Sequence, residues 1–172
     1  MSISVILGDI TQCTTDAIVN AANANLLAGG GVCGAIHRAA GPQLLQACRT
    51  LGGCQTGSAV ITPGFDLPAA HVIHAVGPRW WDGSRGEAEL LRSCYNSIFE
   101  LVVQHGIVSV AIPAISTGIY GYPLEQATRI AVGAANAFLA RHSHVVINFI
   151  CFDETTYAAY LGAVSQQTEQ VS

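Results

Sequence analysis

Residues 20–37 read NAANANLLAGGGVCGAIH, and residues 113–123 read PAISTGIYGYP. Each stretch follows a short apolar run typical of a strand, at residues 17–19 and 108–112, and each leads into a helical pattern. Glycines allow backbone N–H groups to converge, and the positive end of the following helix adds to the attraction for an anion. The two stretches therefore predict two phosphate-binding loops, which could hold the two phosphates of one diphosphate ligand.

Strand and helix patterns alternate along the rest of the chain. The hydrophobic periodicity predicts strands at 3–7, 17–20, 58–62, 71–76, 108–112 and 145–152, and helices at 34–40, 42–48, 87–104, 124–140 and 155–164. Such alternation favours an α/β fold with a mostly parallel sheet covered on both faces, in which ligands bind at the carboxyl ends of the strands. We expect a single domain over residues 1–172, with a disordered tail after Ser165.

Composition limits the classes of partner. The net charge is −4, and all seven basic residues are arginines, so a broad footprint on nucleic acid is not expected. Neither a transmembrane run nor a signal peptide is present, which predicts a cytoplasmic protein that makes no membrane contact. The six cysteines form no CxxC pair and are expected to be structural thiols, with Cys94 and Cys151 in the core.

The wording of the glycine-rich stretches is more specific than glycine content alone. Together with LGDIT at 7–11, TGSAVIT at 56–62, HAVGP at 74–78 and CFDE at 151–154, they closely resemble the macrodomain family, in particular the MacroD-type branch that includes bacterial O-acetyl-ADP-ribose deacetylases. The resemblance covers nearly the whole chain. It implies a three-layer α/β/α sandwich around a mixed, mostly parallel sheet of about six strands.

The resemblance also implies an ADP-ribose site and its residues. Asp9, with Ile10 beside it, would accept a hydrogen bond from the adenine amino group, Phe152 would flank the base, and Tyr120 would lie against the distal ribose. Asn23 would bind that ribose beside the reacting bond, while Asn20 would brace the loop. The diphosphate would lie between two loops, formed by Gly30, Gly31 and Val32 and by Ser116, Thr117, Gly118 and Ile119.

Several of these residues also have ordinary structural interpretations. Asp9 could cap a turn together with Thr11, Phe152 could belong to the core, and Asp153 could meet the adenosine ribose or cap the last helix. His37, four residues after Cys33, is better explained as a helix-packing residue than as a metal ligand, because no further ligands occur at suitable spacing. The resemblance implies neither a metal nor a cofactor.

The chain departs from the family pattern at one position. The family places a catalytic aspartate where this chain has Cys33, and a neutral thiol cannot copy an aspartate. Three outcomes follow: hydrolysis at a reduced rate with a phosphate oxygen and Asn23 activating water, binding of ADP-ribose without turnover, or a thiol-based reaction.

Taken together, the sequence predicts a monomer that binds ADP-ribose and hydrolyses O-acetyl-ADP-ribose or mono-ADP-ribosyl esters of proteins at the distal ribose. A non-catalytic ADP-ribose-binding module is the alternative. An unrelated nucleotide-phosphate hydrolase is disfavoured, because a Walker motif needs a lysine and the chain has none. The segment Arg79-Trp80-Trp81 is read as a lid, a protein contact or a loop packed on its own domain.

Overall fold

The computed structural model describes residues 2–171 and the side chains of residues 2–167. Its six strands are β1 (Ile3–Leu7), β2 (Ala17–Ala21), β3 (Ala59–Pro63), β4 (His71–Ala75), β5 (Ser109–Pro113) and β6 (Val146–Cys151). Its five α-helices are α1 (Gly31–Ala40), α2 (Pro42–Leu51), α3 (Glu87–Gln104), α4 (Leu124–Leu139) and α5 (Glu154–Val171). A 3-10 turn, Ile10–Gln12, follows β1.

The strands form one sheet in the order β1-β6-β5-β2-β4-β3. All neighbours are parallel except β3, which runs antiparallel to β4 at one edge. The predicted α/β sandwich with a mixed, mostly parallel sheet of six strands is confirmed. Because β1, β6, β5, β2 and β4 point the same way, their carboxyl ends lie side by side in that order. We refer to this row of strand ends below as the edge that holds the loops.

Alternate residues of the buried strands face two separate cores. Val110 and Ile112 pack with α3, α4 and α5 on one face, and Ala111 packs with α1 and α2 on the other. The strands are apolar on both faces because helices cover both. Burying one side chain such as Ile112 stabilises the fold by about 2 kcal/mol.

Two helix boundaries differ from the sequence prediction. Helix α1 begins at Gly31 and not at Gly34, so the last glycine of the loop and Cys33 belong to its first turn. Helix α5 continues to Val171, and the predicted end at Val164 was wrong. Its extension is held by Gln167, which donates to the Arg129 carbonyl at 3.1 Å and accepts from Asn136 Nδ2 at 3.0 Å. The rest of the predicted tail, the side chains of 168–171 and Ser172, lies outside the described residues.

Candidate functional site

The sheet brings all the predicted site residues to one edge. Asp9 and Ile10 follow β1, Phe152 follows β6, and the loop at 114–123 follows β5. Asn20 lies near the end of β2, and the loop at 22–30 runs from there into α1. The four segments are neighbours because β1, β6, β5 and β2 are adjacent in the sheet. Between them lie the side chains and backbone predicted to hold one extended ligand.

The loop before α1 ends in an open helix N-terminus. Gly30 is the N-cap residue, no side chain caps the helix, and the first turn holds no acidic residue. The first N–H groups of α1 are therefore available to an anion. Gly31 has a φ of +55°, which favours glycine, and a Cβ on Gly34 would lie 2.3 Å from the Gly29 carbonyl oxygen. Helix and loop can approach this closely only because residue 34 is a glycine.

The second loop is held in a strained conformation. Ser116 has a φ of +69°, a region that costs a non-glycine residue about 1 kcal/mol or more. Its carbonyl accepts from Tyr122 N at 2.9 Å, and Gly121 N donates to the Gly118 carbonyl at 3.0 Å. Gly118 is exposed, and a Cβ there would meet no atom within 4 Å, so the space over this loop is open.

Asn23 braces its own loop in this structure. Its Oδ1 accepts from Leu27 N at 3.0 Å, and its Nδ2 donates to the Leu27 carbonyl at 2.8 Å. This pair of bonds closes residues 23–27 around Leu26, whose φ is +56°. The sequence prediction gave the bracing role to Asn20, whereas these two bonds show Asn23, three residues further along the chain, bracing the loop. One amide hydrogen of Asn23 and the second lone pair of its oxygen are left to contact a ligand.

Cys33 connects the edge of the sheet to a buried polar chain. The Cys33 side chain is 8% exposed, its Sγ lies 3.5 Å from the Leu27 carbonyl oxygen, and Asn20 Nδ2 lies 3.7 Å from the same sulfur. Asn20 Nδ2 also lies 3.1 Å from Nδ1 of His74, whose Nε2 is 3.0 Å from Thr62 Oγ1. This series of polar side chains thus runs from Cys33 through Asn20 on β2 and His74 on β4 to Thr62 on β3.

The imidazole at the centre of this chain is neutral at neutral pH. Burial, with a smaller repulsion from His37, lowers the pKa of His74 to about 4. Burial also raises the pKa of the neighbouring Cys48 thiol to about 11, with a smaller effect of Cys33. Asn20 Oδ1 is buried without a hydrogen-bond partner among the described residues. An unpaired buried amide oxygen can accept a hydrogen bond from a buried water.

His37 is also buried, and its Nδ1 makes no hydrogen bond within the described part of the chain. Burial lowers its pKa. Within residues 2–171, no group of three or more histidine, cysteine or acidic side chains is arranged to hold a metal ion. The prediction of six unpaired thiols is confirmed, since all six cysteines are free and Cys94 and Cys151 lie in the core.

The other end of the edge combines one carboxylate with exposed apolar surface. Asp9 Oδ1 accepts from Thr11 N at 2.9 Å and from Thr11 Oγ1 at 2.7 Å, which caps the 3-10 turn and leaves Oδ2 without a hydrogen bond to the described part of the chain. Phe152 is 75% exposed and Ile119 is 88% exposed. Phe152 therefore does not belong to the core, and its ring is free to contact a planar ligand. Asp153 caps α5 by accepting from Thr156 N at 2.8 Å.

A third loop borders this edge, and sequence reasoning did not assign it to the site. Residues 76–86 follow β4, the strand beside β2. Trp80 N donates to the Tyr120 carbonyl at 2.8 Å, and the Trp80 ring packs on Tyr122 with centroids 4.7 Å apart. A Cβ on Gly77 would lie 2.2 Å from Ser116 Oγ, so this loop packs directly on the loop after β5.

The Glu87 carboxylate organises this third loop. It accepts from the backbone N–H groups of Trp81, Asp82, Gly83 and Arg85 at 2.6–3.2 Å and is 1% exposed. Burial alone would raise the pKa of Glu87, but these backbone hydrogen bonds outweigh it and lower the pKa to about 2. The contact was not foreseen because one glutamate in a helical pattern carries no signal of the loop it closes.

Comparison with known proteins points to one family. The sequence model of the Macro domain matches residues 19–131. An O-acetyl-ADP-ribose deacetylase of Salmonella gallinarum is 52% identical over 170 residues, covering 96% of this chain and 95% of that protein. The macro domain-containing protein CT2219 of Chlorobaculum tepidum is 54% identical over 164 residues, with 95% of each chain covered.

Solved structures agree with the sequence comparison. An Oceanobacillus iheyensis macrodomain with ADP superposes with a TM-score of 0.94 at 41% identity, covering 98% of this chain and 92% of that one. A Trypanosoma brucei macrodomain in complex with ADP-ribose gives a TM-score of 0.89 at 46% identity, covering 95% and 69%. No helix in residues 2–171 is both long and apolar enough to cross a membrane.

Proposed function

Because this chain belongs to the macrodomain family, we propose that it binds ADP-ribose and hydrolyses the ester of O-acetyl-ADP-ribose at the distal ribose. The observation that carries the proposal is the meeting of two glycine-rich loops and the uncapped N-terminus of α1 at one edge of the sheet. In a chain without lysine, a diphosphate must be held mainly by backbone N–H groups, and these loops supply them. Relatives named as deacetylases support the reaction.

The order of the strands suggests how the ligand lies. Adenine would lie at β1 and β6, where Asp9 Oδ2 can accept from the exocyclic amine and the Phe152 ring is exposed. The diphosphate would lie over Gly30–Val32 and Ser116–Ile119. The distal ribose would then lie at β2, between Tyr120, Asn23 and Cys33.

The proposed reaction is attack of water on the acetyl carbonyl carbon. The bond between that carbon and the ribose oxygen breaks, the ribose oxygen takes a proton, and acetate leaves. The difficult step is removal of a proton from the attacking water, which needs a base. Cys33 is a poor base here, because its sulfur lies against the Leu27 carbonyl oxygen, a contact suited to a protonated thiol. A ligand phosphate oxygen would take over this role, with Asn23 orienting the ribose.

The buried histidines are poor replacements for the missing base. Both ring nitrogens of His74 lie at hydrogen-bond distance from other side chains, and burial lowers the pKa of His37 and of His74, which makes both weaker proton acceptors. Loss of a positioned base costs about 10²- to 10⁴-fold in rate. Slow turnover is therefore expected. The lack of a positioned base also supports the second candidate function, an ADP-ribose-binding module without turnover.

The test combines calorimetric titration with ADP-ribose and an assay of acetate release from O-acetyl-ADP-ribose. Wild type, Cys33→Asp and the matched control Cys33→Ser are compared, since serine is nearly isosteric with cysteine and is no better as a base. Binding by all three, with turnover raised at least about tenfold only in Cys33→Asp, would support a hydrolase slowed at one position. Binding without turnover in any variant would assign the reader function. Absence of ADP-ribose binding would refute both.

The remaining expectations are also proposals. Mono-ADP-ribosyl esters on acidic protein side chains are a second substrate class, because they also present a carboxylate ester at the distal ribose. The absence of lysine and the net charge of −4 argue against nucleic acid as a partner. A monomeric state and a cytoplasmic location remain predictions.

A further inference from the structure

The loop after β4 carries an exposed cationic and aromatic surface. Trp81 is 57% exposed, and the guanidinium carbons of Arg79 and Arg85 lie 5.4 Å and 4.9 Å from its ring centroid. We call these three residues the Arg-Trp-Arg platform. Among residues 2–167, neither guanidinium makes an ion pair or hydrogen bond, so the donors of both are free for a partner.

The acidic groups near the platform have hydrogen-bond partners of their own, although the charge of Asp82 also interacts with that of Arg85. The Glu87 carboxylate is occupied by four backbone N–H groups of the same loop and is buried. Asp82 Oδ1 accepts from Ser84 N at 2.9 Å and from Ser84 Oγ at 2.7 Å. Two of the seven arginines of an acidic protein are thus gathered on one tryptophan.

The order of the strands places this platform beyond the reacting end of the ligand. From adenine to distal ribose, the proposed ligand follows β1, β6, β5 and β2, and the next strand is β4. A group attached to the distal ribose would therefore extend out of the site towards β4. Trp80, between Arg79 and Trp81, connects the platform to the ribose side of the site. Its backbone N–H donates a hydrogen bond to the Tyr120 carbonyl, and its ring packs on Tyr122.

We propose that the Arg-Trp-Arg platform binds an acidic polypeptide segment next to an ADP-ribosylated carboxylate side chain, and so selects protein-linked esters in acidic sequence contexts. The inference rests on the proposed function, since it requires ADP-ribose in the site. Guanidinium groups bind carboxylates in a bidentate manner, and their contact with an aromatic ring holds them in place. A single-stranded nucleic acid is a poorer match, because two cations do not form a track along a phosphate backbone.

The experiment measures dissociation constants by calorimetry for four ligands. These are free ADP-ribose, ADP-ribose joined by a non-hydrolysable linkage to a glutamate- and aspartate-rich peptide, the same peptide with glutamine and asparagine at the flanking positions, and an oligonucleotide carrying ADP-ribose. Wild type is compared with the double variant Arg79→Gln/Arg85→Gln. The matched control is Arg141→Gln, which removes an exposed arginine that follows α4 at the opposite edge of the sheet.

For wild type we expect the acidic peptide to bind on the order of fivefold more tightly than the neutral peptide, as for two exposed charge pairs. This gain should shrink at high salt and disappear in Arg79→Gln/Arg85→Gln, while free ADP-ribose binds all variants equally. Equal binding of both peptides by wild type, a gain retained in the double variant, the same loss in Arg141→Gln, or a larger gain with the oligonucleotide would each overturn the inference. If free ADP-ribose itself does not bind, the proposed function fails first.

Discussion

The buried histidine of the polar chain makes stability depend on pH in a calculable way. His74 binds its proton near pH 4 in the folded protein and near pH 6.5 when unfolded. As the pH falls, the unfolded chain takes up this proton first, so the stability is complete above about pH 6.5 and is lost towards pH 4. With 1.36 kcal/mol for each pKa unit, the loss is about 2 kcal/mol between pH 7 and pH 5 and about 3 kcal/mol by pH 4.

The perturbation is His74→Asn, which keeps a polar group beside Asn20 and removes the titrating ring. The assay is urea unfolding at pH 7 and pH 5, where most carboxylates remain ionised. Wild type should lose about 2 kcal/mol or slightly more over this interval, because His37 titrates in the same direction. His74→Asn starts from a lower stability, since a core ring is lost, but should lose much less between the two pH values.

The matched control is His71→Asn, a substitution on the same strand at a partly exposed residue. It should keep the wild-type loss. The reasoning would be refuted if His74→Asn showed the same fall in stability as wild type between pH 7 and pH 5. It would equally be refuted if His71→Asn removed that fall.

Three further substitutions test the loops. Gly118→Glu should leave the melting temperature nearly unchanged, because the position is open, and should abolish ADP-ribose binding by filling the phosphate loop; undiminished affinity in calorimetry would contradict this assignment. Gly34→Ala should lower stability by about 1–3 kcal/mol and weaken binding, since its Cβ would lie 2.3 Å from the Gly29 carbonyl oxygen. Gly162→Ala, in open space on α5, is its control and should be neutral or slightly stabilising in urea unfolding. Glu87→Gln should reduce the stability loss that wild type shows as the pH falls from about 4.5 towards 2, measured by tryptophan fluorescence during thermal unfolding; an unchanged loss in this pH range would argue against the carboxylate.

The sequence predicted most of the fold because its signals are local. Helices α3 and α4 follow from apolar spacing, and both loops follow from glycines placed between a strand and a helix. The edge that carries the site follows from the parallel sheet alone. The end of α5 was missed because Gln167 is held by Asn136 and Arg129, contacts that the helical pattern of 155–164 does not contain.

The inner contacts of the site could not be predicted in this way. The bond between Asn20 and His74 depends on the register of β2 against β4, which pairs these residues across 54 positions of sequence. The two bonds of Asn23 to Leu27 depend on a loop conformation with a positive φ at a leucine, which residue preferences disfavour. Both are consequences of tertiary packing, so a single sequence carries no direct signal for them.

The arrangement of the site along the strand order has an evolutionary consequence. On the proposed assignment, the nucleotide is recognised by segments after β1 and β6, and the bond that reacts lies at β2 and the start of α1. These segments are far apart in sequence and are joined only through a rigid sheet. On the same proposal, exchanging the side chain at position 33 would change or silence the chemistry and leave the segments at the nucleotide end unaltered. If that proposal holds, one side-chain exchange would be enough for an enzyme and a reader to diverge from a common ancestor.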